Sequence, residues 1–94
     1  MDERVIILVR GHVQDVGFVW WARRWAHQLR LTGYAREING GQVEIMAQGR
    51  HEQLMQLLQL IHEPQTTTRR PGRVVDAVCR FEEPLEGLYA FHAA

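Results

Sequence analysis

The chain has 94 residues, which is enough for one domain with a hydrophobic core of its own. Its 11 basic residues, all of them arginine, balance 11 acidic residues, so the formal net charge is zero at pH 7. A neutral chain lacks the broad positive field that attracts nucleic acids and anionic membranes, and we expect neither as a partner.

The cysteine content and the length of the apolar runs exclude further classes of protein. The one cysteine, Cys79, excludes a disulfide within the chain and a metal site of several cysteines, and we expect it as a small apolar residue in a strand. The first apolar run, Val5–Val9, is too short for a signal-peptide core or a membrane span. We therefore expect a cytoplasmic protein whose residues 1–94 form a single domain, and we expect it to act as a monomer.

The N-terminal part of the chain predicts a strand, a loop and a helix. Val5–Val9 is rich in β-branched residues, as in a buried strand, and residues 11–17 form a loop with glycine at both ends. Residues 18–30 show helical periodicity, and one face carries Phe18, Ala22, Trp25 and Leu29. On this helix we expect Trp25 in the core and partial cover for Trp20 and Trp21.

A hairpin and a second helix follow. The alternating runs 34–38 and 42–47 flank Asn39-Gly40-Gly41, and such a pattern indicates two strands joined by a tight turn. Residues 51–62 show helical periodicity again, and Pro64 ends that helix.

The C-terminal part predicts a polar loop and two strands. We expect residues 65–72 to be the most mobile segment and residues 73–81 to form a strand, which carries on one face Val75, Ala77, Cys79 and Phe81. Residues 88–91 predict a short terminal strand. The order is β-α-β-β-α-β with a strand at the end, which predicts an α+β, ferredoxin-like sandwich with two helices on one face of an antiparallel sheet.

The loop between the first strand and the first helix is the candidate functional segment. Gly11 and Gly17 bound it, and a helix N-terminus directly after such a loop favours an anion. Two glycines in a strand-to-helix loop also occur where they serve only packing, so the pattern alone leaves both interpretations open.

A longer string is more specific. Gly11-His12-Val13-Gln14-Asp15-Val16-Gly17-Phe18 resembles the acylphosphatase signature G-x-V-Q-G-V-G-F-R. The segment 29–34 is similar to that family's L-G-L-x-G-W, 39–44 is similar to its D-G-x-V-E hairpin, and Gly49 matches the glycine before its second helix. The register runs without a gap from the first strand through Gly49, whereas the remainder is similar only in the pattern of its elements.

This resemblance implies hydrolysis of acyl phosphates, without a metal or another cofactor. Loop amides and one arginine hold the phosphoryl group in that family, and an asparagine on the second strand orients the attacking water. Here the resemblance places the phosphate loop at Val13, Gln14, Asp15, Val16, Gly17 and Phe18. An acyl phosphate or another small anion is the ligand that it implies.

Three positions depart from the family pattern. Val19 stands where the family has its arginine, Glu37 where it has its asparagine, and Asp15 where it has the central glycine of the loop. Valine has no donor for phosphoryl oxygens, and the two carboxylates repel a phosphate. We therefore expect hydrolysis to be strongly reduced or lost.

The other arginines of this region are poorly placed to substitute for the family's arginine. We expect Arg36 to point to the opposite sheet face from Glu37, because neighbouring strand residues alternate. Arg23 lies four residues beyond Val19 on the same side of the helix, so its long side chain is the best candidate. A solvent-facing Arg23 is the alternative that we favour. Arg10 and Arg24 lie before the loop and further into the helix.

The remaining motifs carry weaker signals. His51-Glu52 begins like a zinc-protease motif, but Met55 stands where the second histidine is needed, and no metal site is expected among the histidines. Arg69-Arg70 has the charge to meet an acidic partner, although a solvated loop is the simpler interpretation. RNA-recognition modules share the fold, but the third strand has none of their stacking aromatics.

Two functional hypotheses follow. The first is an acylphosphatase of reduced or rearranged activity. The second is a non-catalytic domain on the same scaffold that binds a protein or another ligand.

Overall fold

The computed structural model describes residues 1–94 as five strands and two helices: β1 (Glu3–His12), α1 (Phe18–Gln28), β2 (Thr32–Ile38), β3 (Gln42–Gly49), α2 (His51–His62), β4 (Arg73–Glu82) and β5 (Phe91–Ala93). The sheet order is β4-β1-β3-β2-β5. The first four strands pair antiparallel, whereas β5 pairs parallel to β2. The antiparallel pairing of β1 through β4 confirms the predicted sheet, and the parallel terminal strand, whose direction the sequence did not predict, makes the complete sheet mixed.

The core lies between the helices and one face of the sheet. Alternate residues of the two central strands are fully buried there: Val5, Ile7, Val9, Val43 and Ile45. They form one hydrophobic cluster with buried residues of both helices, such as Ala22 and Leu54. Two helices on one face of the sheet confirm the ferredoxin-like arrangement.

Helix α1 ends two residues earlier than its periodicity predicts. Arg30 adopts the left-handed conformation (φ +59°), and its N–H donates to the His27 carbonyl at 3.0 Å. The Leu31 N–H donates to the Ala26 carbonyl at 2.8 Å. These two bonds form a Schellman motif, which turns the chain out of the helix and toward β2.

The tryptophans of α1 are buried in a different order from the predicted one. Trp21 is almost fully buried, with its ring centroid 5.2 Å from that of Phe18. Trp25 is half-buried against the core, and Trp20 is 64% exposed. Phe18 and Ala22 of the predicted stripe are fully buried, whereas Trp25 and Leu29 are only partly buried and Trp21 and Ala26 are buried in their place.

Helix α2 has the bounds that the sequence predicts, and the loop after it is attached to its end. The Arg70 guanidinium donates to the carbonyl oxygens of Leu60, Ile61 and Glu63 at 2.8 to 2.9 Å. The last carbonyls of a helix have no partner within the helix, and a cation stabilises that end. Arg70 is therefore a capping residue of α2 rather than part of a solvated arginine pair.

Strand β4 is the outermost strand beside β1. A bulge between Arg10 and Gly11 shifts the register, so Val75 is 72% exposed while Val74 packs against the core. Cys79 lies opposite Ile7 on β1, on the helix-facing side, and is nevertheless exposed. Phe81 on the same side is also exposed. The prediction of one continuous face from Val75 to Phe81 fails because of the bulge.

The terminal strand begins three residues later than predicted. Phe91 is buried and starts β5, whereas residues 88–90 lead into it, and the Ala90 carbonyl accepts from the Gly33 N–H at 2.9 Å. The buried Gln48 amide holds the preceding segment, since it donates to the Leu85 carbonyl and accepts from the Leu85 N–H, each at 2.8 Å. Neither helix is long and apolar enough to cross a membrane.

Candidate functional site

The loop between β1 and α1 is held at its start by one buried and one hydrogen-bonding side chain. Val13 is fully buried in the core. The Gln14 side-chain amide donates to the carbonyls of Ile38 and Gln42, at 2.5 and 3.2 Å, on either side of the β2–β3 turn. The loop is thus fixed against the hairpin, which brings the end of β2 next to it.

Gly17 ends the loop and begins α1. It is left-handed (φ +89°), and its carbonyl accepts the first helical hydrogen bond, from the Trp21 N–H at 3.0 Å. No side chain caps this end of α1 and no acidic residue lies in its first turn. The positive end of the helix dipole therefore faces the loop without an internal capping anion from α1 itself.

A cleft of about 270 Å³ lies at this end of α1. It is lined by Asp15, Gly17, Val19, Trp20 and Glu37, together with Ala93 and Ala94. The fold thus brings together the three positions at which the sequence departs from the acylphosphatase pattern. They come from three elements, namely the loop, the first turn of α1 and the end of β2.

Inside the cleft, the Glu37 carboxylate is bound to the loop. Its Oε2 accepts a hydrogen bond from the backbone N–H of Asp15 at 2.7 Å. Asp15 has a left-handed backbone (φ +59°), a conformation that aspartate tolerates better than most residues. One of the loop amides is therefore occupied by an anion that belongs to the chain itself.

The arginines that could take the place of the family's arginine make other contacts. Arg10 forms a two-pronged ion pair with Asp76, and its hydrogen bonds lower the pKa of that carboxyl group. Arg36 pairs with Glu44 at 2.9 Å, on the other face from Glu37 as alternation predicts. The Arg23 guanidinium lies over the Trp20 ring, 5.9 Å from its centroid.

None of the arginines lines the cleft. Its charged side chains are the carboxylates of Asp15 and Glu37, so the charge of the cleft is opposite to the charge that a phosphate site requires.

The other residues of the predicted phosphate loop have different surroundings. Phe18, like Val13, is fully buried in the core. Val16 is exposed and faces a second cavity, and Gln14 contacts the hairpin. Among the predicted loop residues, only Asp15 and Gly17 line the cleft.

The second cavity is a groove that the sequence patterns do not predict. It has a volume of about 580 Å³, lies between α1 and the loop 65–72, and is bounded chiefly by Trp20, Trp21, Arg24, Trp25, Thr68 and Arg69. We call it the tryptophan groove. Three tryptophans within six residues of one helix were the available signal, but periodicity assigned them to core and surface separately.

The histidines are dispersed. His51 Nδ1 lies 2.9 Å from Oε1 of Glu3, and this contact raises the pKa of His51. His62 contacts the backbone carbonyls of Leu58 and Ala77. No three side chains among His, Cys, Asp and Glu are grouped so that they could hold a metal ion.

Comparisons with known proteins agree on one family. A family model described as Acylphosphatase matches residues 5–91. An acylphosphatase of Mycobacterium avium (strain 104) is 42% identical over 90 residues, which cover 96% of this chain and 93% of the relative. One of Thermobifida fusca (strain YX) is 45% identical over 78 residues, or 83% and 81% of the two chains. The crystal structure of acylphosphatase from Bacillus subtilis superposes with a TM-score of 0.83 at 26% identity, covering 100% of this chain and 99% of that one.

Proposed function

Since this chain belongs to the acylphosphatase family, we propose that it keeps the scaffold of the family while its hydrolysis of acyl phosphates is strongly reduced or lost. In this proposal residues 1–94 act as one cytoplasmic, monomeric domain, and the cleft between the loop, α1 and β2 is the altered active site. The proposal requires neither a metal nor another cofactor.

The hydrogen bond between Glu37 and Asp15 carries the proposal. A phosphoryl group that enters the cleft needs the loop N–H groups as donors, because they stabilise the charge on its oxygens as the P–O bond to the acyl group breaks. In this chain the Asp15 N–H already donates to a carboxylate at 2.7 Å. An incoming phosphate must displace that carboxylate and then remain next to it.

The charge of the displaced group adds a second obstacle. Two unit charges about 4 Å apart repel by roughly 4 kcal/mol at an effective dielectric constant near 20, and exposure of Glu37 to solvent reduces this figure. Asp15 on the same wall adds to the repulsion. The positive end of α1 offsets only part of it, because a helix terminus carries about half an elementary charge.

Val19 is the reason to expect slower catalysis in addition to weaker binding of the phosphoryl group. It occupies the first turn of α1 on the wall of the cleft, is almost fully buried, and offers neither a charge nor a donor. Removal of one transition-state donor typically lowers kcat by ~10²–10³, and a catalytic arginine is worth ~10³–10⁵. We therefore expect hydrolysis about 10³-fold or more below that of a site with arginine at position 19.

The test compares the native chain with the triple variant Asp15→Gly, Val19→Arg, Glu37→Asn in hydrolysis of benzoyl phosphate. We expect activity near background for the native chain and a gain of at least ~10³ for the variant. Gln28→Arg is the control for Val19→Arg, because it adds one arginine at an exposed position of the same helix that lines neither cavity, and we expect no gain from it.

Two results would contradict the proposal. Native activity close to that of the triple variant would mean that another group replaces the arginine, and Arg23→Gln would then identify it. A triple variant that folds normally by circular dichroism and remains silent would show that the three positions do not explain the loss.

A non-catalytic binding domain is the second candidate function. The observation that favours it is the tryptophan groove, which is lined by Trp20, a residue that is 64% exposed, and by Arg24 and Arg69. Large exposed aromatic side chains next to a concavity are typical of binding surfaces.

A further inference from the structure

We propose that the tryptophan groove binds a small aromatic oxyanion, meaning a flat ring that carries a phosphate or a carboxylate group. The groove is separate from the altered active site, although Gly17 and Trp20 belong to the walls of both. Its volume of about 580 Å³ lies within the range of ~300–1,000 Å³ that is usual for small-molecule sites.

The charge of the groove selects an anion. Arg24 and Arg69 line it and no carboxylate does. Neither arginine makes an ion pair within the chain, whereas Arg10, Arg36 and Arg80 all do. A guanidinium group presents paired donors that match the two oxygens of a carboxylate or phosphate. The oxyanion is therefore expected in the groove and not in the neighbouring cleft, which holds two carboxylates.

The aromatic walls select a ring. All three tryptophans of the chain line the groove, and Trp20 remains mostly exposed at its edge. Indole faces bind planar rings by stacking, and their large surface gains from removal of water. Indoles and guanidinium groups line the same cavity. A molecule that carries both a ring and a negative charge is therefore expected to bind more tightly than a ring or an anion alone.

The two walls of the groove are joined before any ligand binds. The Trp21 indole N–H on α1 donates to the Thr68 hydroxyl oxygen at 3.0 Å. Arg70 attaches the same loop to the end of α2 through three backbone carbonyls. A site that is already ordered loses less conformational entropy on binding. Hydrogen bonds within the chain thus hold both walls of the groove in place.

The charges of the chain and of the groove favour a small ligand over a polyanion. A chain with no net charge gains little from the extended phosphate backbone of a nucleic acid. Two arginines in one cavity match one oxyanion group. The expected ligand is therefore a small molecule with one ring system and one acidic group.

The experiment monitors the three indole N–H resonances by NMR while phenyl phosphate is added, with inorganic phosphate and phenol as the two separate parts. We expect saturable shifts with phenyl phosphate, and at least tenfold weaker binding of each part. Benzoate tests which acidic group the site prefers. If benzoate binds as tightly as phenyl phosphate, the site accepts aryl carboxylates as well. If it binds more weakly, the site is specific for aryl phosphates.

Variants locate the binding site. Arg24→Gln and Arg69→Gln are each expected to weaken binding of phenyl phosphate about tenfold, whereas Arg73→Gln, an exposed arginine that does not line the groove, leaves it unchanged. The proposal is overturned if no saturable binding occurs below about 10 mM, a limit that corresponds to barely specific affinity. It is also overturned if inorganic phosphate binds as tightly as phenyl phosphate. Tighter binding in Glu37→Gln together with no loss in Arg24→Gln would place the ligand in the active-site cleft instead.

Discussion

The Glu37 carboxylate and the Asp15 backbone N–H, 22 positions apart in the chain, are joined by a hydrogen bond of 2.7 Å. The bond places a side chain of β2 where an enzyme of this family is expected to hold its substrate. One N–H group of the loop therefore has an acceptor without a ligand. An internal anion of this kind stabilises the apo loop and competes with every external anion.

Replacement of Glu37 is expected to strengthen anion binding at the loop in two steps. Glu37→Gln removes the charge but keeps an oxygen that can accept from the Asp15 N–H, whereas Glu37→Ala removes both. We expect the affinity for inorganic phosphate to rise at least tenfold in Glu37→Ala, which corresponds to about 1.4 kcal/mol, and less in Glu37→Gln. The backbone amide resonance of Asp15 in an NMR titration measures both. Glu52→Gln, which removes an exposed carboxylate on α2, serves as the control. An equal gain in this control would mean that only net charge matters.

Arg70 is expected to contribute more to stability than its neighbour in the sequence. Loss of three charge-assisted hydrogen bonds to the end of α2 in Arg70→Ala should lower the free energy of unfolding by about 2 kcal/mol, as measured by urea denaturation. Arg69→Ala changes the same loop at a residue without such contacts and should cost less than about 0.5 kcal/mol. Similar losses in the two variants would argue against capping by Arg70.

Gly33 is expected to tolerate no side chain. A Cβ atom there would lie 1.8 Å from the Met46 carbonyl oxygen on β3, and the residue has φ +134°. Gly33→Ala should therefore separate β2 from β3 and lower the free energy of unfolding by roughly 3 kcal/mol or more. Gly40→Ala places the same methyl group at another positive φ with no atom within 4 Å, and should cost only about 1 kcal/mol. If thermal unfolding gave equal losses, backbone conformation alone would explain the effect.

The ion pair between His51 and Glu3 is expected to depend on pH. The hydrogen bond to Glu3 raises the pKa of His51 above the usual 6.5. Its stabilisation is therefore complete below the unfolded value and is lost as pH rises through the higher folded value. NMR titration should show a raised midpoint that falls toward about 6.5 in Glu3→Gln. Glu52→Gln removes a more weakly acting charge and should shift it less. An unchanged midpoint in Glu3→Gln would exclude the pair.

Periodicity predicted those elements that have one clearly buried face. Helix α2 has the predicted bounds, because Pro64 follows its last turn, and the Asn39–Gly41 turn joins two strands as expected. The end of α1 was missed, because a Schellman motif with arginine in place of glycine leaves no compositional signal. The parallel pairing of β5 was also missed, because the pattern of a three-residue strand does not specify its direction.

The candidate site was only partly accessible from the sequence. Comparison of the motif with the family pattern identified Asp15, Val19 and Glu37, and the fold brings all three to one cleft. The hydrogen bond between two of them depends on how Gln14 fixes the loop against the hairpin, which is a tertiary contact. The tryptophan groove could not be predicted, because one of its walls is the loop 65–72. The sequence of that loop has no periodic pattern from which its position could be inferred.

The outermost position of β4 has a consequence for how the protein behaves at high concentration. Its free edge runs for ten residues and exposes Val75, Val78 and Phe81, so a strand of another molecule would gain both backbone hydrogen bonds and apolar contacts there. Two ion pairs, Arg10–Asp76 and Arg80–Glu82, lie along the same strand and would lose hydration in such a pairing. Charges on an edge strand oppose edge-to-edge pairing, so neutralisation of these ion pairs is expected to favour assembly through the sheet.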